Sequence, residues 1–497
     1  MPHTLLAFDL GATSGRAIAG RFQNDGRLVI QELDRFPNEP VFVWDDHGGS
    51  MHWDILAVWA QMRSALASLA VHGIDHLDSI GVDTWGVDYA LLGQGHVLLE
   101  NPYHYRDRRT DGVMDRVIAR LGRDKIYGVT GIQFMPINTL YQLVAANERT
   151  PQLLAAAKAL LTVPDLLNYW LTGRIACEYT NATTTQFLDS ATRDWSRDLL
   201  TALDVPTHFL APVIAPGTVL GPLVDDLARL PGLRDTAVVA PACHDTGSAV
   251  AAVRAGGDTA FLSSGTWSLL GTEVSHAIAG PDAQRLNFTN EGGVCGTVRL
   301  LKNITGMWLL EGCRKSWERA GLSYEWDALL GMSAPEPPFR HLVDPDDASF
   351  TRPEDMTAAI DSYCARTGQA TPETPGAYVR TVLESLALKY RVVLEQLESL
   401  TGVRVSQIRV IGGGSQNALL NQFTADATGR TVVAGPAEAT ALGNLGMQMV
   451  GMGMVESLDA ARDLIEHSFP PRRFEPSGSA AWDHAYTQFV QLLTTTS

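Results

Sequence analysis

The segment D-L-G-A-T-S-G-R at residues 9–16 ends an apolar run with an aspartate and follows it with small residues. A tight turn of this kind leaves several backbone N–H groups free to converge on one anion, and glycine lets a phosphate approach the main chain. Asp9, at the strand end, can hold Mg2+ through water, since that ion takes one or two carboxylates plus phosphate oxygens. No G-K-[ST] follows, so this is not a Walker A loop, and an ordinary β-hairpin turn is the competing reading. The segment L-S-S-G-T-W-S-L-L-G at 262–271 has the same physics, with the Thr266 hydroxyl at its turn. Two such cradles together suit a polyphosphate.

Three further segments carry chemistry of other kinds. V-I-G-G-G-S-Q-N at 410–417 reads as a strand, a glycine loop and a helix start, where a backbone can approach a flat or phosphorylated ligand. A dinucleotide fingerprint would need glycine where Asn417 stands, so an adenine or ribose shelf fits better than a dehydrogenase site. P-A-C-H-D-T-G-S-A-V at 241–250 places Asp245 at the start of a helix. The positive helix end keeps such a carboxylate ionised and able to accept a hydroxyl proton; the alternative is a plain N-cap bonded to Gly247 or Ser248. S-I-G-V-D-T-W-G-V-D-Y at 79–89 sets a flat Trp85 face beside bare Gly86 backbone, which suits a sugar. Asp83 and Asp88 are either a glycosidase pair or structural acids.

These segments need elements to hold them. Residues 5–8 read as a buried strand, 11–15 as its turn, and 28–30 as another strand after Asp25-Gly26, together an antiparallel meander. Residues 259–262 and 267–270 repeat the hairpin roughly 250 residues later, about half the chain, which suggests a duplicated domain pair of the size expected of separate folding units. Apolar periodicity predicts helices over 55–71, 139–148, 151–160, 164–171, 417–428 and 439–450, and strands over 79–83, 87–92, 407–411 and 431–434. The alternation is an α/β signature. We expect domains at 1–245 and 246–497.

The totals set outer limits. Hydrophobic residues make up 45% of 497 and charged residues 19%, which excludes a disordered chain. Asp and Glu (55) outnumber Lys and Arg (38), so the net charge of −17 opposes binding to nucleic acid or anionic lipid. Five dispersed cysteines without C-x-x-C spacing argue against a disulfide framework or structural zinc. There is no basic signal-peptide start and no apolar stretch long enough to span a membrane, so we expect a cytoplasmic protein.

The two hairpins, the glycine loop and the H-D-T triplet resemble the FGGY carbohydrate kinases of the actin-like ATPase superfold. Further segments support this, among them N-P-Y-H-Y-R-D-R-R-T-D-G, E-Y-T-N-A-T-T-T-Q, N-E-G-G and L-K-N-I-T-G-M-W-L-L. The resemblance runs from about residue 5 to about residue 446. It implies two actin-like (ribonuclease H-like) α/β domains around a central cleft, and transfer of the ATP γ-phosphate to a ketose. The implied acceptor is O1 of L-rhamnulose, with L-fuculose, L-xylulose, or a non-catalytic sugar sensor as alternatives. By the same resemblance, Ala12, Thr13, Ser14, Gly15, Arg16 and Thr266 hold the phosphates, and Gly413 borders adenosine. Asp245 is the proton acceptor, Gly86, His244, Thr246 and Asn303 join it in contacting the sugar, and Asp9 supports Mg2+. Glu311 stands where the family's pattern has glutamine, and Ser415 where a cysteine can occur. Monomer and homodimer both remain open.

Overall fold

Thr4–Leu10 (β1), buried at every position, is the strand around which the first sheet of the computed structural model is built. A turn of small residues leads to Ser14–Phe22 (β2), antiparallel to β1, and then to Leu28–Pro37 (β3), antiparallel to β2. On the other side of β1 lie Ser79–Thr84 (β4), Thr218–Pro222 (β5) and Ala237–Ala240 (β6), in the order β5-β6-β4-β1-β2-β3. Strands β1, β4 and β6 are parallel. Every residue of β4 is buried, as expected of a parallel strand covered on both faces. The structure describes residues 3–23, 26–44, 46, 48–478 and 480–495; Asp25 of the expected turn lies outside them.

A second sheet repeats the plan. Thr259–Ser264 (β7) and Trp267–Val274 (β8) form the antiparallel hairpin. Val298–Thr305 (β9), Gln407–Ile411 (β10), Thr431–Ala434 (β11) and Arg472–Phe474 (β12) continue it in the order β9-β8-β7-β10-β11-β12, and Thr289–Gly292 adds a seventh strand at the edge beside β9. Here β10 is parallel to β7, and β11 is parallel to β10. Helix Pro375–Thr401, started by the Thr374 side chain on the Ala377 N–H and ended by left-handed Gly402, packs against helix Ala418–Thr428.

The chain divides into two compact units. One comprises Met1–Arg254, Glu273–Leu300 and Ala439–Phe469; the other comprises Ala255–Thr272, Leu301–Glu438 and Pro470–Ser497. The units therefore interleave, unlike the continuous stretches 1–245 and 246–497. The reason in the first unit is helix Ala439–Gly451, which returns to pack on β1, β4 and helix Asp245–Ala251.

Three expected elements differ in detail. The helix expected over 151–160 stops at Ala156, and Ala159–Thr162 is a strand antiparallel to Tyr89–Leu92. The strand expected from 87 starts at Tyr89 because Val87 has a left-handed φ of 67°. The helix expected over 55–71 breaks at Ser68 into Ile55–Ala67 and a short 3-10 turn. Among the described residues no helix is long and apolar enough to cross a membrane.

Candidate active site

In the first unit, acids sit at or just beyond the carboxyl ends of three neighbouring parallel strands, the place where open α/β sheets take ligands. Asp9 near the end of β1 is directly in register with Asp83 near the end of β4. Asp245 follows β6 after a four-residue extension, in which the Thr84 N–H donates to the Cys243 carbonyl at 2.9 Å. Burial pushes the Asp83 carboxyl well up, and the Asp9 and Asp245 charges add to it; Asn444, donating to Oδ2 at 2.6 Å, and Arg16 oppose the shift. Arg16 also pairs with Asp9 across the hairpin.

Asp245 is the first residue of helix Asp245–Ala251, with His244 as the N-cap, so the simple capping alternative does not hold. Its Oδ1 accepts from its neighbour Thr246, from N–H at 2.5 Å and from the hydroxyl at 3.1 Å. His244 Nε2 lies 3.4 Å from the same oxygen. The side chain keeps 31% exposure, enough to meet a ligand.

The approach to Asp245 is fixed from below by Glu178, a residue that sequence spacing did not single out. Its carboxylate accepts from Thr180 N (2.9 Å), Thr180 Oγ1 (2.5 Å), Asn181 N (3.2 Å) and Cys243 N (3.0 Å). The Thr180 hydroxyl in turn accepts from His244 N at 3.1 Å. Burial pushes Glu178 up to about 7 against the pull of these donors.

Gly86 lies on the loop after β4, where an added Cβ would come within 2.9 Å of Thr184. Asn181 Nδ2 ties this loop to the Asp245 approach, reaching Trp85 O at 3.2 Å and Cys243 O at 3.4 Å. Asp88 is fully committed: its Oδ2 accepts from the Trp53 and Trp85 indoles at 2.6 and 2.9 Å, and its Oδ1 from Gln142 at 2.9 Å. That makes Asp88 structural and removes the glycosidase pair. In the first hairpin, Gly11 N donates to Ser14 O at 2.9 Å, and Asn38 clamps the turn through Gly11 O and Thr13 O. Ala12, Thr13 and Ser14 form its rim. Gly15 also has a packing reason, because a Cβ there would lie 2.3 Å from the Phe36 ring.

The second unit gathers the remaining candidates except one. Thr266 sits at the β7–β8 turn, where its carbonyl accepts from Gly306 N at 3.1 Å and Trp308 N at 3.2 Å. The glycine loop after β10 lies against the same hairpin: a Cβ on Gly414 would stand 2.1 Å from Ser264 Oγ. Gly413 next to it has open space around it, and Asn417 caps helix Ala418–Thr428 through Leu420 N at 3.0 Å. Asn303 stands apart on β9. Glu311 is on helix Trp308–Arg319, 3.9 Å from Arg314.

Mg2+ suits the first unit's donors. Asp83 Oδ1 is buried without a hydrogen-bond partner beside Asp9, and hard carboxylate oxygens are the donors this ion prefers. Among the described residues no cluster of three or more His, Cys, Asp or Glu forms a closed protein cage.

Two family models cover nearly all of this scaffold: the N-terminal domain of the FGGY family of carbohydrate kinases matches residues 4–252, and the C-terminal domain matches 260–452. The chain belongs to this family. Relatives of this FGGY kinase include a rhamnulokinase of Bacteroides thetaiotaomicron, 45% identical over 98% of this chain and 99% of that one. A rhamnulokinase of Pectobacterium atrosepticum is 41% identical over 98% and 96%. Solved structures share the fold: a xylulose kinase from Lactobacillus acidophilus has a TM-score of 0.79 at 15% identity, covering 99% of this chain and 97% of that one. Plasmodium falciparum glycerol kinase with ADP has a TM-score of 0.78 at 14% identity, with the same coverage. The two-domain actin-like α/β architecture is thus established.

Proposed function

We propose that this FGGY kinase transfers the γ-phosphate of ATP to O1 of L-rhamnulose, giving L-rhamnulose 1-phosphate and ADP. The observation that carries the acceptor's identity is end-to-end likeness, at 45% identity, to a protein named rhamnulokinase. L-Fuculose and L-xylulose are correspondingly less favoured, and so is a non-catalytic sensor. We place the reaction in the cytoplasm, where ATP is made.

Phosphoryl transfer asks little covalent help from a protein, so positioning and charge neutralisation dominate. In this reading the sugar's O1–H gives its proton to Asp245 as O1 bonds to the γ-phosphorus. The bond from that phosphorus to the β,γ-bridging oxygen breaks, and ADP leaves with the electron pair. Helix Asp245–Ala251 begins at the carboxylate, so the positive end of its dipole faces the acceptor. His244, Thr246, Gly86 and Asn303 orient the sugar hydroxyls. Amides of Ala12, Thr13, Ser14 and Gly15, with Arg16 and Thr266, hold the phosphates, and Gly413 borders adenosine. Asp9, with Asp83 beside it, holds Mg2+, which supplies charge neutralisation at the phosphates. Of the two expected stretches, 1–245 would carry the first phosphate hairpin and the sugar contacts other than Thr246 and Asn303, and 246–497 the second hairpin and the adenosine loop.

A coupled ADP-release assay with L-rhamnulose, L-fuculose and L-xylulose, each with and without Mg-ATP, tests this. The highest kcat/KM belongs to L-rhamnulose: the C6 methyl that L-xylulose lacks is worth about 10- to 200-fold in an apolar pocket, whereas L-fuculose carries that methyl and is separated only by the orientation of its C4 hydroxyl. Asp245→Asn loses at least about 10²-fold in kcat. Equal use of all three ketoses overturns the acceptor; normal turnover of a folded Asp245→Asn overturns the proton route.

A further inference from the structure

Behind His244 stands a buried pair that the proton route above does not use. Glu291 lies on Thr289–Gly292, within the N-E-G-G segment, and Arg299 lies on β9. Arg299 is fully buried, and Glu291 is 6% exposed. Arg299 Nε donates to Gly292 O at 2.8 Å. Its Nη2 is 3.2 Å from Glu291 Oε2 and also 3.2 Å from His244 Nδ1. On the far side of the ring, Nε2 faces Asp245 Oδ1 at 3.4 Å. Four side chains thus run in series from Glu291 through Arg299 and His244 to the acceptor carboxylate.

We infer that Arg299, anchored by Glu291, dictates which nitrogen of His244 carries the ring proton and so aims an N–H at Asp245. A guanidinium has five donors and no acceptor. The nitrogen it meets must therefore offer a lone pair, which makes Nδ1 the acceptor and places the proton on Nε2. Glu291 Oε2 is 3.3 Å from the same Nδ1 and would accept a hydrogen bond from Nδ1–H in the opposite arrangement. That arrangement would set an imidazole N–H against a guanidinium N–H inside the protein, where mismatched donors are expensive. Glu291 serves instead as counter-ion: a buried guanidinium without one would be strongly unfavourable. With its proton on Nε2, His244 points an N–H toward Oδ1, the oxygen that already accepts from Thr246, which leaves the other carboxylate oxygen to receive the sugar's proton. Arg299 and Glu291 are positioning residues; neither is asked to touch substrate.

The inference rests on Asp245 as proton acceptor, and its primary test is read without turnover. In protein labelled with 15N-histidine, ring 1H–15N correlations report the tautomer, and His244→Gln identifies the signal by its loss. The expected spectrum shows His244 protonated on Nε2, retained in Arg299→Lys, which still presents only donors, and shifted toward Nδ1 in Arg299→Met. Arg299→Met also loses about 10- to 100-fold in kcat, the range for residues that orient a functional histidine, with KM for ATP unchanged. Wild-type His244 protonated on Nδ1, or a folded Arg299→Met with undiminished kcat, overturns it. If Arg299→Met does not fold, the wild-type spectrum decides alone. Normal turnover of Asp245→Asn would sink the acceptor assignment while leaving this spectrum to stand or fall separately.

Discussion

Gly443 offers a direct way to move Asp245 without touching it. Helix Ala439–Gly451 crosses helix Asp245–Ala251 so closely that a Cβ on Gly443 would sit 1.7 Å from Ser248 O, 2.7 Å from Ser248 C and 3.0 Å from Ala252 N. These are backbone atoms, so no side chain can swing aside. Restoring an ordinary 3.4 Å contact from 1.7 Å means separating the helices by up to about 1.7 Å. Overpacking of this kind costs about 1–3 kcal/mol, offset by about 1 kcal/mol because alanine favours a helix over glycine. The catalytic effect is larger, because Ser248 is one turn from Asp245 and a 1 Å misplacement can cost about 10²-fold. Gly443→Ala is therefore expected to lose about 10²-fold in kcat/KM while its urea midpoint falls only modestly. Gly446→Ala, on the same helix, is the control: its Cβ meets Ile465 Cδ1 at 3.5 Å and Ala461 Cβ at 3.7 Å, ordinary contacts. That variant keeps its turnover and gains up to about 1 kcal/mol. Gly443→Ala with turnover within a few-fold of wild type, measured by coupled ADP release, would refute the packing argument.

Stability should fall as pH rises from about 4 to 7. Burial lifts Asp88 from 3.8 to about 6 and Glu178 from 4.5 to about 7, so in both the folded pKa exceeds the unfolded one. Their contribution is full below pH 4, is lost through 6 to 7, and amounts to about 3 kcal/mol each at 1.36 kcal/mol per unit. Thermal midpoints across that range check it, and Asp88→Asn should flatten the slope; a rising midpoint contradicts it. Chelation by EDTA is expected to stop turnover yet leave the nucleotide-free unfolding midpoint unchanged, since in the proposed reading Mg2+ would enter with the nucleotide. A large drop in that midpoint would reveal a structural metal instead.

Much of the first unit could be read from spacing alone. A small-residue turn between two apolar runs has few ways to fold besides the β1–β2 hairpin, and the HDT triplet after an apolar strand put Asp245 at a helix start. The partners were not legible, because they are joined only by folding. Glu178 meets Cys243 across 65 residues, and Asn444 meets Asp83 across 361. Nothing in the local pattern of either residue distinguishes a buried acceptor from a solvated one. Glycine spacing also hid a packing role: Gly15, expected at the phosphates, makes room for the Phe36 ring as well. The helix expected over 151–160 failed because apolar residues 159–161 fit either period, and pairing with Tyr89–Leu92 decided for the strand.

The repeated strand plan carries opposite electrostatics in the two units. In the first, β1 ends in Phe-Asp-Leu, β4 in Val-Asp-Thr, and β6 leads to His-Asp. In the second, the corresponding β7 ends in Leu-Ser-Ser and β10 in Arg-Val-Ile before three glycines. Acids clustered at strand ends repel a polyphosphate unless cations intervene, and Arg16 beside Asp9 is one such cation already in place. Hydroxyls, glycines and free amides impose no such requirement. In the proposed reading, proton and metal chemistry therefore fall to the unit with these carboxylates, whose phosphate hairpin depends on cations, whereas the second hairpin and the glycine loop hold phosphate without them. Placing an aspartate at Ser264 would breach that division, and in this reading it would raise KM for ATP before it disturbed the sugar.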